Sequence, residues 1–387
     1  MRIAMFGGTF NPPHLGHMAA AKACVETLQL DKLLHMPDNI PPHKILPEGS
    51  ATPQQRLQMC RIAASKIPNC EACDLELRRT GPSYTVDTVT ELAQRYPDSQ
   101  LWLIVGTDMI LSFDRWREPE KIGSLCRLAV VARNEEDRKA ITEKSAQLRQ
   151  TLGLGIDLID NVAFPASSTE VRANIADAPL DPDVAAYITE QLLYLPSPET
   201  LRAAVEKRVS PKRFAHTLGC ERLAVQMAKK YGVQESLIRT AAILHDCTKA
   251  LSDEEQLTLC KKWNIITDYG EEHFSQLIHA DTGAETAVRE FHMPETVAEV
   301  IRTHTVGAPE MSDAQKILYV ADLCEETRTY EGAERLRALA LEDLELAYTE
   351  GLKRTVAFLR EQGKEPYYVT VQALNARNIT SETEDKI

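Results

Sequence analysis

The stretch Arg2-Ile3-Ala4-Met5-Phe6-Gly7-Gly8-Thr9-Phe10-Asn11-Pro12-Pro13-His14-Leu15-Gly16-His17 decides the fold of the first half of this chain. Its apolar start predicts a short strand, and the two glycines permit a sharp turn without a Cβ clash. A helix is expected from Leu15 onward. A strand, a glycine turn and a helix in this order are typical of the first unit of a parallel, doubly wound sheet.

Short apolar runs continue to alternate with helical patterns up to about residue 195. The predicted strands are Arg2–Phe6, Lys32–Met36, Asp74–Leu77, Leu101–Val105, Leu128–Ala132 and Ile156–Ile159. Helical patterns lie between them, as in Tyr84–Tyr96. We therefore predict an α/β Rossmann-like, doubly wound parallel sheet, with its ligand site at the carboxyl ends of the strands.

The segment Leu195-Pro196-Ser197-Pro198 is typical of a linker between two domains, 1–195 and 196–387. Its prolines should end a helix predicted over Asp183–Tyr194. Residues 199–360 show nearly continuous amphipathic helical periodicity, which predicts an all-α bundle. A length of 387 residues also favours two cores over one.

The amino-acid composition argues against several classes of protein function. The net charge of −13 argues against a general nucleic-acid-binding surface. No apolar run approaches the ~18 residues that a membrane span needs, and no signal-peptide pattern is present. Nine cysteines without a secretory signal predict reduced thiols and a cytoplasmic protein, and Cys70-Glu71-Ala72-Cys73 is interpreted as two incidental thiols. An oligomer is compatible with the sequence.

Two histidines mark a candidate phosphate site after the first strand. His14 and His17 lie three residues apart in the first helical turn, so both can face one ligand. They can donate hydrogen bonds where negative charge grows on a nucleoside triphosphate. The amides at the helix start are also expected to receive phosphate. A lone histidine is ordinarily structural, but two after a glycine turn favour the functional interpretation.

A second segment, Ser167-Ser168-Thr169-Glu170-Val171-Arg172, places hydroxyls at a helix start and an arginine one turn later. Ser168 or Thr169 could serve only as a helix N-cap. The same hydroxyls, together with Arg172, also suit a triphosphate.

On these motifs the first half resembles the bacterial nicotinate mononucleotide adenylyltransferases, within the HxGH nucleotidylyltransferases. The matching pieces are Gly7–His17, Pro41-Pro42-His43-Lys44, Pro82–Thr88, Gly106-Thr107-Asp108, Trp116 and Ser167–Arg172. The resemblance implies transfer of AMP from ATP to nicotinate mononucleotide, which gives deamido-NAD and pyrophosphate, with Mg²⁺ on the ATP phosphates. Asn11 stands where many relatives have aspartate, but it keeps a side-chain acceptor.

The resemblance also implies residue roles. The catalytic residues would be His14, His17 and Arg172. The ATP contacts would be Gly8, Thr9, Phe10, His14, His17, Gly106, Asp108, Ser168, Thr169 and Arg172. The mononucleotide contacts would be Lys44, Tyr84, Thr85 and Trp116, with the indole stacked on the cationic pyridine ring. Two alternatives stay open: Trp116 as a core aromatic, and another HxGH adenylyltransferase, such as the pantetheine-phosphate type.

The second half carries a series of histidines that continue apolar helical rows. His216 is expected to begin a helix, and His245 and His304 extend two other rows. Buried polar side chains are costly unless something balances them. With His279, Asp246 and Asp322 these residues form a nitrogen and oxygen ligand set with no nearby cysteine ligand. Such a set suits iron, manganese or zinc, and its size predicts one or two ions.

This half resembles the HD-domain phosphohydrolases, and in particular the bacterial family that splits diadenosine tetraphosphate symmetrically into two ADP. The matching pieces are Arg213–His216, His245–Lys249, His279 with Gly283-Ala284, His304–Gly307 and Ala321–Arg328. The implied metal ligands, with iron the expected metal, are His216, His245, Asp246, His279, His304 and Asp322. Asp246 and Lys249 would be catalytic, and Lys249 and Arg328 would meet substrate phosphates.

Together the two resemblances imply a bifunctional nucleotide enzyme whose partners are small molecules: ATP, nicotinate mononucleotide and diadenosine tetraphosphate. Ala280 and Glu326 depart from the HD pattern, which often has glycine and proline there. A non-catalytic, nucleotide-sensing regulatory module is the alternative for this half.

Overall fold

The fold is that of a computed structural model, which describes residues 1–42, 44–160, 164, 166–175, 177–269 and 271–384. His43, quoted above in the Pro41–Lys44 segment, lies outside these residues. The chain divides into two compact units, Met1–Tyr194 and Leu195–Ile387.

A parallel sheet of six strands, built from described residues of the first unit, has the order β3-β2-β1-β4-β5-β6. The strands are β1 (Arg2–Gly8), β2 (Lys32–Pro37), β3 (Cys70–Ala72), β4 (Gln100–Val105), β5 (Arg127–Val130) and β6 (Ile156–Leu158). The strand order reverses at β1, so a crevice opens between the carboxyl ends of β1 and β4. The predicted doubly wound parallel sheet is confirmed.

Side chains alternate along each strand, and this alternation builds two hydrophobic layers. On β1, Ala4 and Phe6 face one layer, while Ile3 and Met5 face the other. The helices of this unit are α1 (Leu15–Leu28), α2 (Pro53–Ala64), α3 (Thr85–Arg95), α4 (Thr107–Leu111), α5 (Pro119–Leu125), α6 (Asp137–Leu152), α7 (Ser168–Ala173) and α8 (Pro182–Glu190). Helix α1 covers the Phe6 side, and α3 to α6 cover the Met5 side.

Two sequence predictions in this unit were wrong. The strand expected over Asp74–Leu77 is a turn with a 3₁₀ helix at Glu76–Arg78, and the strand that joins the sheet is β3. The carboxylate of Glu76 accepts a hydrogen bond from the Thr88 hydroxyl at 2.7 Å, which binds this turn to α3. Helix α8 ends before Tyr194, because Leu192 and Tyr194 adopt positive φ angles of 51° and 61°.

The second unit is helical, as predicted. Its helices are α9 (Pro198–Glu206), α10 (Pro211–Tyr231), α11 (Glu235–Leu244), α12 (Asp253–Trp263), α13 (Glu271–Arg289), α14 (Glu295–Arg302), α15 (Asp313–Cys324), α16 (Ala333–Ala340), α17 (Leu344–Glu361) and α18 (Tyr368–Glu384). Helix α10 packs against α11 and α15, and α13 packs against α14. Throughout the described parts of both units, every helix is too short or too polar to cross a membrane.

Candidate active sites

A cavity of about 810 Å³ lies at the carboxyl ends of β1 and β4. Its wall contains every residue that the resemblance assigned to ATP or to the mononucleotide. These are Gly8, Thr9, Phe10, His14, His17, Lys44, Tyr84, Thr85, Gly106, Asp108, Trp116, Ser168, Thr169 and Arg172. The fold therefore brings residues more than 150 positions apart in the sequence to one concave surface. The volume of this cavity suits a nucleotide.

The HxGH turn has a defined geometry. His14 is the N-cap of α1, and its ring stacks on that of His17 with 3.7 Å between centroids. The backbone N–H of His14 donates to Nδ1 of His17 at 3.2 Å, so the neutral His17 carries its proton on Nε2. A Cβ at Gly16 would lie 3.0 Å from Nδ1 of His14, so glycine there lets the imidazole fold back over the helix start.

Both imidazoles are held neutral. Burial, and secondly the charge of Arg133, lower the pKa of His14 to about 4. Burial holds the pKa of His17 well below its usual range, helped by the charges that His14 and His35 carry when protonated and by those of Arg133 and Lys44. At neutral pH each ring therefore keeps one N–H donor and carries no charge.

The hydrogen bonds at the starts of α1 and α7 differ from those that the sequence led us to expect. The Leu15 amide donates to the Pro179 carbonyl and the His17 amide to the His14 carbonyl, so two of the amides expected to receive phosphate are already engaged. The N-cap of α7 is Ser167, not Ser168 or Thr169. The Ser168 hydroxyl instead donates to the Pro12 carbonyl at 3.0 Å.

Three arginines line this cavity, and two of them, Arg117 and Arg133, were not predicted. Arg172, in the last turn of α7, donates to the Asn11 carbonyl at 2.6 Å, which ties this helix to the loop after β1. Arg133 follows β5, lines the cavity and lies 3.1 Å from the carboxylate of Asp108. Its position just after a predicted strand, at the ligand-binding edge, was the signal that could have found it.

Aromatic side chains line another part of the cavity. Trp116 is half-buried: it packs against Phe113 with 5.1 Å between ring centroids and also contributes to the cavity wall. The Arg117 guanidinium lies 4.8 Å from the centre of the Tyr84 ring. Thr85 is the first residue of α3. Trp116 is thus partly a core aromatic and partly a surface on which a flat ligand can stack.

The six predicted metal ligands come together in the second unit. Nε2 of His216 lies 3.0 Å from Asp322 Oδ1, and Nε2 of His279 lies 3.2 Å from Nε2 of His304. Asp246 is central, because its carboxylate lies within 4 Å of all four histidines. His216 lies in the second turn of α10 and does not begin the helix as expected.

The hydrogen bonds of the histidines fix which nitrogen faces the cluster. Nδ1 of His245 and Nδ1 of His304 donate to the carbonyls of Ala242 and Ile301, each at 2.7 Å. In the neutral form of each ring, Nε2 is therefore the nitrogen with a free lone pair, and Nε2 of His245 is buried without a hydrogen-bond partner. Buried imidazole nitrogens and carboxylates turned toward one point are the donor set of a divalent metal centre. The cluster therefore fits one or two such ions.

Charged side chains and one thiol surround the cluster. Arg213 contacts Asp246 at 2.8 Å, Arg328 contacts Asp322 at 2.7 Å, and Nζ of Lys249 lies 3.1 Å from Nδ1 of His279. Sγ of Cys220 lies 3.5 Å from Nε2 of His216, so the expectation of no nearby cysteine was wrong. Helical spacing could have revealed this, since Cys220 is one turn after His216 on α10.

Carboxylates also dominate the electrostatics around His216. Burial lowers the pKa of its imidazole, but hydrogen bonds with Asp322 and Glu325 outweigh burial and raise the pKa to about 9. Glu325 was not predicted as a site residue, although it lies within the Ala321–Arg328 segment.

Comparison with known proteins finds a different family for each half of the chain. Residues 5–174 match a family described as cytidylyltransferase-like, and residues 213–327 match the HD domain. The chain is 34% identical to a probable nicotinate-nucleotide adenylyltransferase of Shewanella pealeana over 50% of this chain and 96% of that protein. A protein of the same name from Symbiobacterium thermophilum is 37% identical over 50% of this chain and 95% of the relative.

Through its first half, the chain belongs to the nicotinate-nucleotide adenylyltransferase family. Its second half contains an HD domain, a family whose members bind divalent metals. A crystal structure from Clostridium acetobutylicum, described as a "predicted HD superfamily hydrolase involved in NAD metabolism", is 30% identical, with a TM-score of 0.45. It covers 48% of this chain and 99% of its own.

Proposed function

We propose that the first domain, residues 1–195, transfers AMP from ATP to nicotinate mononucleotide and releases deamido-NAD and pyrophosphate. The observation that carries this proposal is the single cavity that gathers the HxGH pair with Ser168, Thr169 and Arg172. The names of the matched relatives support the same reaction. Mg²⁺ would arrive bound to the phosphates of ATP and would need no dedicated protein site.

The chain's own groups would align the substrates and stabilise the charge that this transfer develops. The phosphate of the mononucleotide can attack the α-phosphorus directly, so no protein nucleophile is required. Nε2–H of His17 and the guanidinium of Arg172 would stabilise charge that grows on the triphosphate. Arg133 adds a cation to the same wall. Catalysis would then consist of positioning and preorganised hydrogen-bond donors.

The substrate preference would come from the aromatic part of the cavity. Trp116 offers a flat face for the cationic pyridine ring, and Thr85, at the start of α3, can bind a carboxylate. Lys44 lies on the same cavity wall and would meet the mononucleotide phosphate. A pantetheine-phosphate substrate would not use the stacking surface, so these residues favour the pyridine nucleotide.

We propose that the second domain, residues 196–387, hydrolyses diadenosine tetraphosphate to two ADP. His216, His245, Asp246, His279, His304 and Asp322 would hold one or two metal ions, with iron expected before manganese or zinc. When bound, such ions polarise a phosphate and lower the pKa of a water molecule. Lys249 and Arg328, with Arg213 beside Asp246, would bind the polyphosphate.

Purified full-length protein tests both proposals. It should convert ATP and nicotinate mononucleotide to deamido-NAD faster than it uses nicotinamide mononucleotide or pantetheine phosphate. With its metal restored, it should convert diadenosine tetraphosphate to ADP alone. Equal rates with all acceptors would contradict the first assignment. A metal-loaded protein that binds nucleotides without hydrolysing them would instead support the regulatory module.

A further inference from the structure

Glu325 is a buried carboxylate beside the metal cluster. It follows α15, three residues after Asp322, and its side chain has no exposed surface. It accepts hydrogen bonds from the amide of Thr327 at 2.7 Å, from the Thr327 hydroxyl, and from Nδ1 of His216 at 3.0 Å. A buried carboxylate needs such partners to offset the loss of water. These hydrogen bonds therefore hold the Glu325 side chain beside His216.

His216 needs a side-chain acceptor that His245 and His304 do not need. His245 and His304 come just after α11 and α14, where each Nδ1 reaches a carbonyl three residues earlier. His216 lies inside α10, where the preceding carbonyls accept helical hydrogen bonds. Its Nδ1 therefore depends on a side chain from another element, and Glu325 of the α15 terminus is that side chain.

The sequence of α10 makes room for this carboxylate. A Cβ at Gly219 would lie 2.1 Å from Oε2 of Glu325 and 2.9 Å from its Cδ. Gly219 is buried in the interior of the helix, where glycine is less favourable than alanine. The close approach of Glu325 is a physical reason for glycine at this position.

We propose that Glu325 is a positioning residue for the metal centre, and that Gly219 is the position that admits it. By accepting the Nδ1 proton of His216, Glu325 keeps that proton on Nδ1 when a metal ion displaces the Nε2 proton, so that Nε2, beside Asp322, is the nitrogen that binds. The backbone of the same turn is anchored, since Arg337 donates to the carbonyls of Cys324 and Glu325. This inference rests on the proposed metal centre.

Two variants of the full-length protein test this role in different ways. Glu325→Gln keeps the shape and removes the charge, whereas Gly219→Ala keeps the charge and displaces the carboxylate. Chelator-treated protein is titrated with Co²⁺, and both affinity and the visible absorption spectrum of the bound ion are recorded. We expect each variant to lose about 10–100-fold in Co²⁺ affinity and to change the spectrum. The double variant should lose no more than the worse single variant, because both disturb one contact.

Asp246→Ala is the control that separates the inference from the metal centre itself. If Asp246→Ala loses Co²⁺ while Glu325→Gln and Gly219→Ala bind it with native affinity and spectrum, Glu325 does not position His216. If Asp246→Ala binds Co²⁺ as the native protein does, the proposed metal centre is wrong, and the inference with it. If Glu325→Gln fails to fold, Gly219→Ala alone tests the role of Glu325. Apart from the contact with Glu325, alanine has a higher helix propensity than glycine and should favour α10.

Discussion

At the scale of single residues, the nucleotide cavity is faced by neutral imidazoles, not by histidinium groups. Burial keeps His14 and His17 uncharged, and the contact between the His14 amide and Nδ1 of His17 selects the His17 tautomer. A neutral donor binds ground-state ATP weakly but gains strength as negative charge grows on the phosphates. This difference predicts that His17 acts mainly on turnover.

His17→Ala should therefore lower kcat of adenylyl transfer by about 10²–10³-fold, with ATP affinity changed far less. Steady-state kinetics and an ATP-binding titration on the same preparation measure both quantities. His17→Gln keeps an N–H donor and should recover part of the rate. Near-normal turnover of the alanine variant would remove His17 from the mechanism.

Trp116→Ala should weaken the mononucleotide and spare ATP. Loss of a stacking face for a cation costs about 0.5–2 kcal/mol, which corresponds to roughly a 2–30-fold rise in KM for nicotinate mononucleotide. Trp102→Phe is the matched control, because Trp102 is buried in the sheet, where its indole donates to Asp157. Equal effects of Trp116→Ala on both substrates would show that the indole serves only the core.

His35 should make the first unit sensitive to acid. Its ring stacks on Phe6, and burial lowers its pKa to about 3 from a usual value near 6.5. Between these two values the unfolded chain binds a proton that the folded chain refuses, so folding stability falls as the pH drops below 6.5. At pH 5 the loss is about 2 kcal/mol relative to pH 7.

Urea unfolding at several pH values measures this effect, with Trp263→Phe as background so that fluorescence reports only Trp102 and Trp116. His35→Gln removes one titrating group and should reduce the slope by about one proton, while His14 and His17, whose pKa values are also lowered, keep their share of the pH dependence. The same slope in both proteins would mean that His35 titrates normally in the folded state.

At the scale of elements, one buried guanidinium joins three segments around the nucleotide turn. Arg56 of α2 has no exposed surface and donates to the Thr9 carbonyl after β1 and to both the carboxylate and the carbonyl of Asp38 after β2. Thr9 also donates its hydroxyl to Asp38. The glycine turn is thereby fixed against the neighbouring strand end.

Arg56→Met should destabilise the first unit by about 3–5 kcal/mol, because it leaves Asp38 buried without its cation. Urea unfolding in the Trp263→Phe background again provides the measurement. The double variant Arg56→Met with Asp38→Asn should recover part of the loss. A cost below about 1 kcal/mol for Arg56→Met would show that solvent replaces the guanidinium without difficulty.

Sequence reasoning succeeded where local pattern and spacing determine structure. The strand–glycine–helix start, five of the six strands and the helical second half follow from periodicity. It failed at Asp74–Leu77, where apolar and polar residues alternate as in a strand but the contact between Glu76 and Thr88 holds a turn. The histidines of the metal cluster could be recognised in the sequence because histidine is rare in the apolar rows of helices.

Other parts of the site could not be found in this way. Arginine and glutamate are common surface residues, and their roles here depend on contacts that are distant in sequence. Glu325 and His216 are in contact although 109 positions separate them in the sequence, and 47 positions separate Arg56 from Thr9. Only the packing of separate elements reveals that these charges are buried and paired.

At the scale of the whole molecule, each unit contains a complete candidate site. The nucleotide residues all precede Leu195, and the metal-binding residues all follow it. Both sites gather lysine and arginine within a chain of net charge −13, as expected for anionic small molecules. This separation supports the proposal that one chain carries two chemically independent activities.

Asp246→Ala in the full-length protein tests this claim most directly, with metal content, diadenosine tetraphosphate hydrolysis and adenylyl transfer measured on one preparation. We expect loss of bound metal and of hydrolysis, because the carboxylate of Asp246 lies near all four histidines, while deamido-NAD formation continues at the native rate. Collapse of adenylyl transfer in a folded variant, or hydrolysis that survives the substitution, would contradict it.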